Sequence, residues 1–213
     1  KRLGSKKISL FYPVHMDSNK SSCDSTKSTP QERGYSIGDF GGIIPGELER
    51  CLEQINDAGL DLNFIPHLEY QDTMIAEKET SWRMTSCIPT DDEHYYNEAY
   101  KRLFDHINKK GFNGEVDISI AAEIDNSLFM EPQKTLDLLN KIKAQKKRLG
   151  LKGKITWNPN GDFHHSSSGK NYCNNIGKVE KILSSIDVIA PSIYEEHGHV
   201  DYLNEVPNYQ ATK

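Results

Sequence analysis

The sequence predicts an α/β fold of parallel strands with outer helices, and three observations carry that expectation. Short runs rich in β-branched and aromatic residues alternate with stretches whose apolar residues recur at helical spacing. The connections are asymmetric: strand-like runs open into polar loops, whereas three helical stretches close on Gly59, Gly111 and Gly150 and return at once to the next strand. The central run, Val116 to Ala122, is small and apolar enough to be buried on both faces of a parallel sheet.

Taken in order, Ile8 to Val14 reads as the first strand and opens into a polar loop reaching about Ile44. Pro45 begins a helix with Leu48, Cys51, Leu52, Ile55 and Ala58 on one face. Leu62 to Pro66 is the second strand, followed by His67, Glu69 and Tyr70 and a long loop bearing Trp82, Arg83 and Cys87. Asp91 caps a helix whose apolar face is Tyr96, Ala99, Leu103 and Ile107. The central strand follows, then a helix from Pro132 carrying Leu136, Leu139, Ile142 and Leu149. Lys154 to Asn158 is the fourth strand, with a polar loop from Pro159 to Asn175. A short helix with Val179, Ile182, Leu183 and Ile186 precedes a last strand, Asp187 to Tyr194. Long loops at the C-terminal ends of strands and short turns at the other ends are how a (β/α) barrel distributes its parts. A doubly wound sheet usually carries a glycine-rich phosphate turn, and the sequence has none.

Composition narrows the function classes. The 213 residues have a net charge of -5, with 36% hydrophobic and 27% charged residues, and no linker divides them, so one domain over residues 1–213 is expected. Basic residues are scattered except for Lys141, Lys143, Lys146, Lys147 and Arg148, a pattern that suits an outer helical face; no nucleic-acid partner is expected. No apolar stretch approaches the roughly 18 to 20 residues that span a bilayer. Four cysteines, Cys23, Cys51, Cys87 and Cys173, lack zinc-like spacing. Cys51 reads as a buried helical thiol, and the others fall in expected loops, where two of them could pair in an oxidising compartment.

Glu123 is the leading candidate for chemistry. It ends an apolar strand beside Ala121 and Ala122, where desolvation would raise a carboxyl pKa and suit it to proton donation near neutral pH. Glu69, Asp162, Glu195 and Glu196 occupy comparable strand-end positions. Trp82, Trp157, Tyr70, Tyr194 and Phe163 lie in or beside the same loops, where a ring can stack on a sugar; Arg83, His67 and Asn158 could bond its hydroxyls. His164-His165 and His197-Gly198-His199 raise metal ligation as an alternative, but both lie in polar loops outside the context such motifs need, and neither a metal nor a cofactor is expected.

Four stretches then carry a resemblance: Phe64-Ile65-Pro66-His67 with Trp82-Arg83 downstream, Ala121-Ala122-Glu123-Ile124, Ile155-Thr156-Trp157-Asn158, and Ile186 to Tyr194. In order and spacing the chain resembles the (β/α)8 glycoside hydrolases of the large retaining clan and is most similar to glycoside hydrolase family 113, the endo-β-mannanase type. The resemblance implies a partial TIM-type barrel in which Ile8 to Val14 is strand two and Asp187 to Tyr194 strand six. It implies Glu123 as acid/base, and His67, Trp82, Arg83, Trp157, Asn158 and Tyr194 as substrate-binding residues. The nucleophile would lie beyond Lys213, and such a barrel takes about 250 residues, so a segment of a longer chain, completed by neighbouring chain or other subunits, is expected. Ala122 departs from the Asn that commonly precedes the acid/base in the clan, although family 113 tolerates a different residue there. The activity implied is hydrolysis of a β-linked polysaccharide such as mannan, outside the cytoplasm. The rival is a catalytically silent barrel that binds glycan or serves as a structural subunit.

Overall fold

A computed structural model describes residues 4–16, 46–70, 93–122, 128, 131–159 and 169–190. They form strand β1 (Lys7–Met16), helix α1 (Glu47–Asp57), β2 (Asp61–Tyr70), α2 (Glu93–Tyr96), a π-helical turn (Asn97–Lys101), α3 (Arg102–Lys110), β3 (Val116–Ala122), α4 (Pro132–Arg148), β4 (Ile155–Asn158), α5 (Gly169–Leu183) and β5 (Val188–Ile189). The five strands form one sheet in the order β1-β2-β3-β4-β5, and every neighbouring pair is parallel. Strand order therefore never reverses. A doubly wound sheet reverses at its switch point, whereas an arc of a (β/α) barrel does not, so the fold is α/β with barrel-like winding.

Alternation along the strands divides the sheet into two faces. Tyr12, Val14, Leu62, Phe64, Val116, Ile118, Ile120, Ile155 and Trp157 join the helix residues Leu48, Leu52, Ile55, Leu103, Leu139, Ile142, Val179 and Ile182 in one buried cluster. Ser9, Phe11, Asn63, His67, Thr156 and Asn158 alternate with them on the other face, where Phe11 is 61% exposed. The expected burial of β3 on both faces holds: Val116, Ile118 and Ser119 are fully buried, and Asp117 nearly so.

The N-terminal edge is tied by three carboxylates. Asp61 accepts the Glu115 N–H at 2.8 Å, Asp117 the Lys154 N–H at 2.7 Å and Asp187 the Ile155 N–H at 2.7 Å. Asp117 also takes an ion pair from Lys7 at 2.6 Å. The buried Lys146 ammonium donates to the carbonyls of Val116, Leu151 and Lys152 at 2.9, 3.3 and 2.8 Å. Burial lowers its pKa from the usual lysine value, and the charges of Asp117 and Asp187 oppose that. These side chains satisfy backbone groups at the strand entries, which leaves this edge structural in character.

Several element boundaries differ from the sequence expectation. β2 continues through His67 and Glu69 to Tyr70, because all ten of its residues stay in register with β1. The expected short helix after β4 is the 15-residue α5, so the Cys173 backbone is helical and not in a loop. Cys51 is half-buried on α1, and it is a free thiol. Cys23 and Cys87, the Asp91 cap and the strand residues after Ala190 lie outside the described residues.

Candidate functional site

The parallel order brings the C-terminal ends of all five strands to one edge, and the sequence-predicted site residues that can be located gather unevenly around it. His67 lies on the open face of β2, opposite Pro13 of β1, with its ring edge-on to Phe11 at 6.2 Å between centroids. Asn158 ends β4 as the cross-strand partner of Ala122, the last residue of β3. Its amide nitrogen donates to the Ala190 carbonyl at 3.1 Å, which fixes the side chain and leaves Oδ1, buried, without a partner. Trp157 does not join them. As the residue between Thr156 and Asn158 it points to the other face, where it is 3% exposed and packs in the core. Glu123, Trp82, Arg83 and Tyr194 lie outside the described residues, as do Asp162, Phe163, Glu195, Glu196 and the paired histidines 164, 165, 197 and 199.

The end of β3 is irregular. Ser119 pairs with Thr156 and Ala122 with Asn158, so three steps on β3 oppose two on β4. This is a β-bulge, a device that re-aims side chains. Ser119 and Ala122 consequently share the face of Thr156 and Asn158, although they are an odd number of residues apart. Position 123 directly follows.

Sequence reasoning missed the group that reaches this irregular end. Tyr100, on the π-helical turn and fully buried, donates its hydroxyl to the Ile120 carbonyl at 2.7 Å and to the Ser119 carbonyl at 3.2 Å. Tyr96 stacks on its ring and Tyr95 meets it edge-on. Burial pushes the phenols of Tyr95 and Tyr100 above the ordinary tyrosine value, so both stay protonated at neutral pH. The available signal was the rule that a buried tyrosine needs a partner for its hydroxyl, applied to Tyr100 four residues after Tyr96.

Among the described residues no group of three His, Cys, Asp or Glu side chains could hold a metal ion, and no helix is long and apolar enough to cross a membrane. A hollow of about 640 Å³ lies at the opposite edge of the sheet, lined by Asp61, Asn108, Asn113, Glu115, Arg148 and Lys152 among others. It is remote from the strand ends that hold His67 and Asn158.

No protein-family model matches the chain, and no curated protein does. Among solved structures the chain is similar to a GH113 beta-1,4-mannanase, at 13% identity and a TM-score of 0.44, over 88% of this chain and 60% of that one. The chain thus spans 60% of the length of the mannanase.

Proposed function

We propose that the chain carries the acid/base part of a retaining glycoside hydrolase site acting on a β-linked polysaccharide such as mannan, with Glu123 as the acid/base. The observation that carries this reading is the pairing of Ala122 with Asn158 at the C-terminal edge of a sequentially ordered parallel sheet. Glu123 is the next residue in the sequence after this buried strand end, and the partner of that end, Asn158, has an amide oxygen with an acceptor still to offer. A carboxyl leaving so apolar a strand is disfavoured as an anion, which suits it to hold a proton near neutral pH.

In the first half-reaction the Glu123 carboxyl protonates the departing glycosidic oxygen. A second carboxylate, for which no residue is assigned and whose carboxyl group in a retaining site stands about 5 to 5.5 Å from that of the acid/base, attacks the anomeric carbon. In the second half-reaction the Glu123 carboxylate takes a proton from the water that releases the sugar. Asn158 and His67 contribute hydrogen bonds to sugar hydroxyls, with Arg83 also bonding and Trp82 and Tyr194 stacking. A polysaccharide substrate puts the protein outside the cytoplasm on this reading.

The test is release of reducing sugar from β-mannan by the full-length protein and by Glu123→Gln. The variant is expected to lose the activity. Unchanged activity in the variant would sink the catalytic assignment, and binding of mannan without hydrolysis by the unaltered protein would favour the silent, glycan-binding barrel.

A further inference from the structure

Among the described residues three buried side-chain atoms have no hydrogen-bond partner: Asn63 Oδ1, Thr156 Oγ1 and Asn158 Oδ1. Buried polar groups are paired almost without exception in folded proteins, and elsewhere in this chain Asp117, Thr135 and Lys146 obey that rule. All three exceptions belong to residues on the open face of the sheet, away from the helices. Two of them, Thr156 and Asn158, follow one another on that face at the end of β4.

The two side chains offer complementary chemistry. Thr156, 6% exposed, brings a hydroxyl that can donate. The Asn158 amide nitrogen is given to the Ala190 carbonyl, and the reverse orientation would set oxygen against oxygen, so the unpartnered atom is an acceptor. One donor beside one acceptor matches a hydroxyl group, which accepts from the first and donates to the second; an ether oxygen or a fluorine can only accept. Cα atoms two residues apart on a strand are about 6.6 Å apart, and one hydroxyl oxygen with bonds of about 2.8 Å to both partners spans up to about 5.6 Å. A slight lean of the two side chains closes that difference. Their partners on β3 are Ser119 and Ala122, both small, so the lean is not obstructed by a bulky residue from that strand.

We infer that Thr156 and Asn158 form a hydroxyl-reading pair: they bind one hydroxyl of the glycan, Thr156 donating to it and Asn158 accepting from it. Thr156 thereby takes the place on β4 that Trp157, turned into the core, does not fill. In the free protein both oxygens are buried and unpaired, which lowers stability. Binding opens the strand end locally and pairs both, so a sugar lacking the hydroxyl gains nothing from the opening. Stability lost at a site in exchange for recognition is a recurring compromise. The pair relies on the glycan reading for the identity of its ligand, whereas the stability of the free protein is measurable without any ligand.

The experiment compares the unaltered full-length protein with Thr156→Val, which keeps the branched shape and removes the hydroxyl, and Thr156→Ser, which keeps the hydroxyl. Urea midpoints are read without ligand. Affinity for mannohexaose is read by calorimetry, with Glu123→Gln present throughout so that no hydrolysis intervenes. Thr156→Val is expected to have a midpoint equal to or above that of the unaltered protein and to bind about tenfold more weakly, while Thr156→Ser binds within about threefold of the protein with Thr156 in place. A lower midpoint in Thr156→Val, or its failure to fold, shows a hydroxyl that serves the fold and overturns the inference. Unchanged affinity in Thr156→Val, an equal loss in Thr156→Ser, or absence of mannohexaose binding with Thr156 in place overturns it as well. Stability and binding that follow these expectations, without mannan hydrolysis by the unaltered protein, count against the acid/base reading of Glu123 alone.

Discussion

At the scale of single residues, polar side chains at the strand entries do work that the hydrophobic pattern does not announce. Lys146 belongs to a basic run that reads as a solvated helical face, yet it is 7% exposed and its ammonium holds three carbonyls. The helical stripe predicts its direction only in part, because Ile142 and Lys146 are one turn apart on the same face. Replacing it by Met keeps the stem and removes the donor that the three carbonyls share, of which that of Lys152 keeps the Val116 N–H. Lys146→Met is expected to destabilise the fold by about 1 to 3 kcal/mol, read as a lower urea midpoint at unchanged slope. Gly153 is equally specific: at φ +105° an added Cβ would lie 2.6 Å from the Val116 carbonyl oxygen. Gly153→Ala should therefore cost more than about 1 kcal/mol in the same assay, and a neutral result would contradict the close approach.

At the scale of elements, helical and strand periods were legible wherever one face is apolar. The stripe Tyr96, Ala99, Leu103 and Ile107 is buried throughout, and so is Leu139 with Ile142 on α4. Leu139→Ala should lose about 2 to 5 kcal/mol, as fully buried leucines do. What the period could not reveal was the π-helical turn, which still buries Ala99 and Tyr100, or the bulge in β3, which depends on a partner strand distant in sequence. The tyrosine cluster adds a pH dependence of known sign. Burial raises the folded pKa of Tyr95 and Tyr100 above 10.0, so their contribution is intact below about pH 10 and is lost as pH rises further. Lys7, held up by its bond to Asp117, changes stability in the same direction, while Lys146 opposes it. The fall in denaturation midpoint between pH 8 and pH 11 should accordingly be smaller in Tyr95→Phe than in the unaltered protein. An equal fall in both would contradict the buried phenol.

At the scale of the whole molecule, the alternation of strands and helices and the placing of long loops after strands were enough to anticipate a parallel α/β sheet. The unreversed strand order adds the barrel-like winding. The candidate site was less legible. His67 and Asn158 share the open face, whereas Trp157 lies in the core, because a single step along β4 changes the face. The central claim is that this edge delivers Glu123 as a proton donor to a departing glycosidic oxygen. Leaving-group dependence in Glu123→Ala tests it most directly: cleavage of mannan should fall by about 100-fold or more, while a dinitrophenyl β-mannoside, whose leaving group needs no proton, is still turned over to its glycosyl-enzyme at close to the original rate. Equal losses on both substrates, or on neither, would contradict the account.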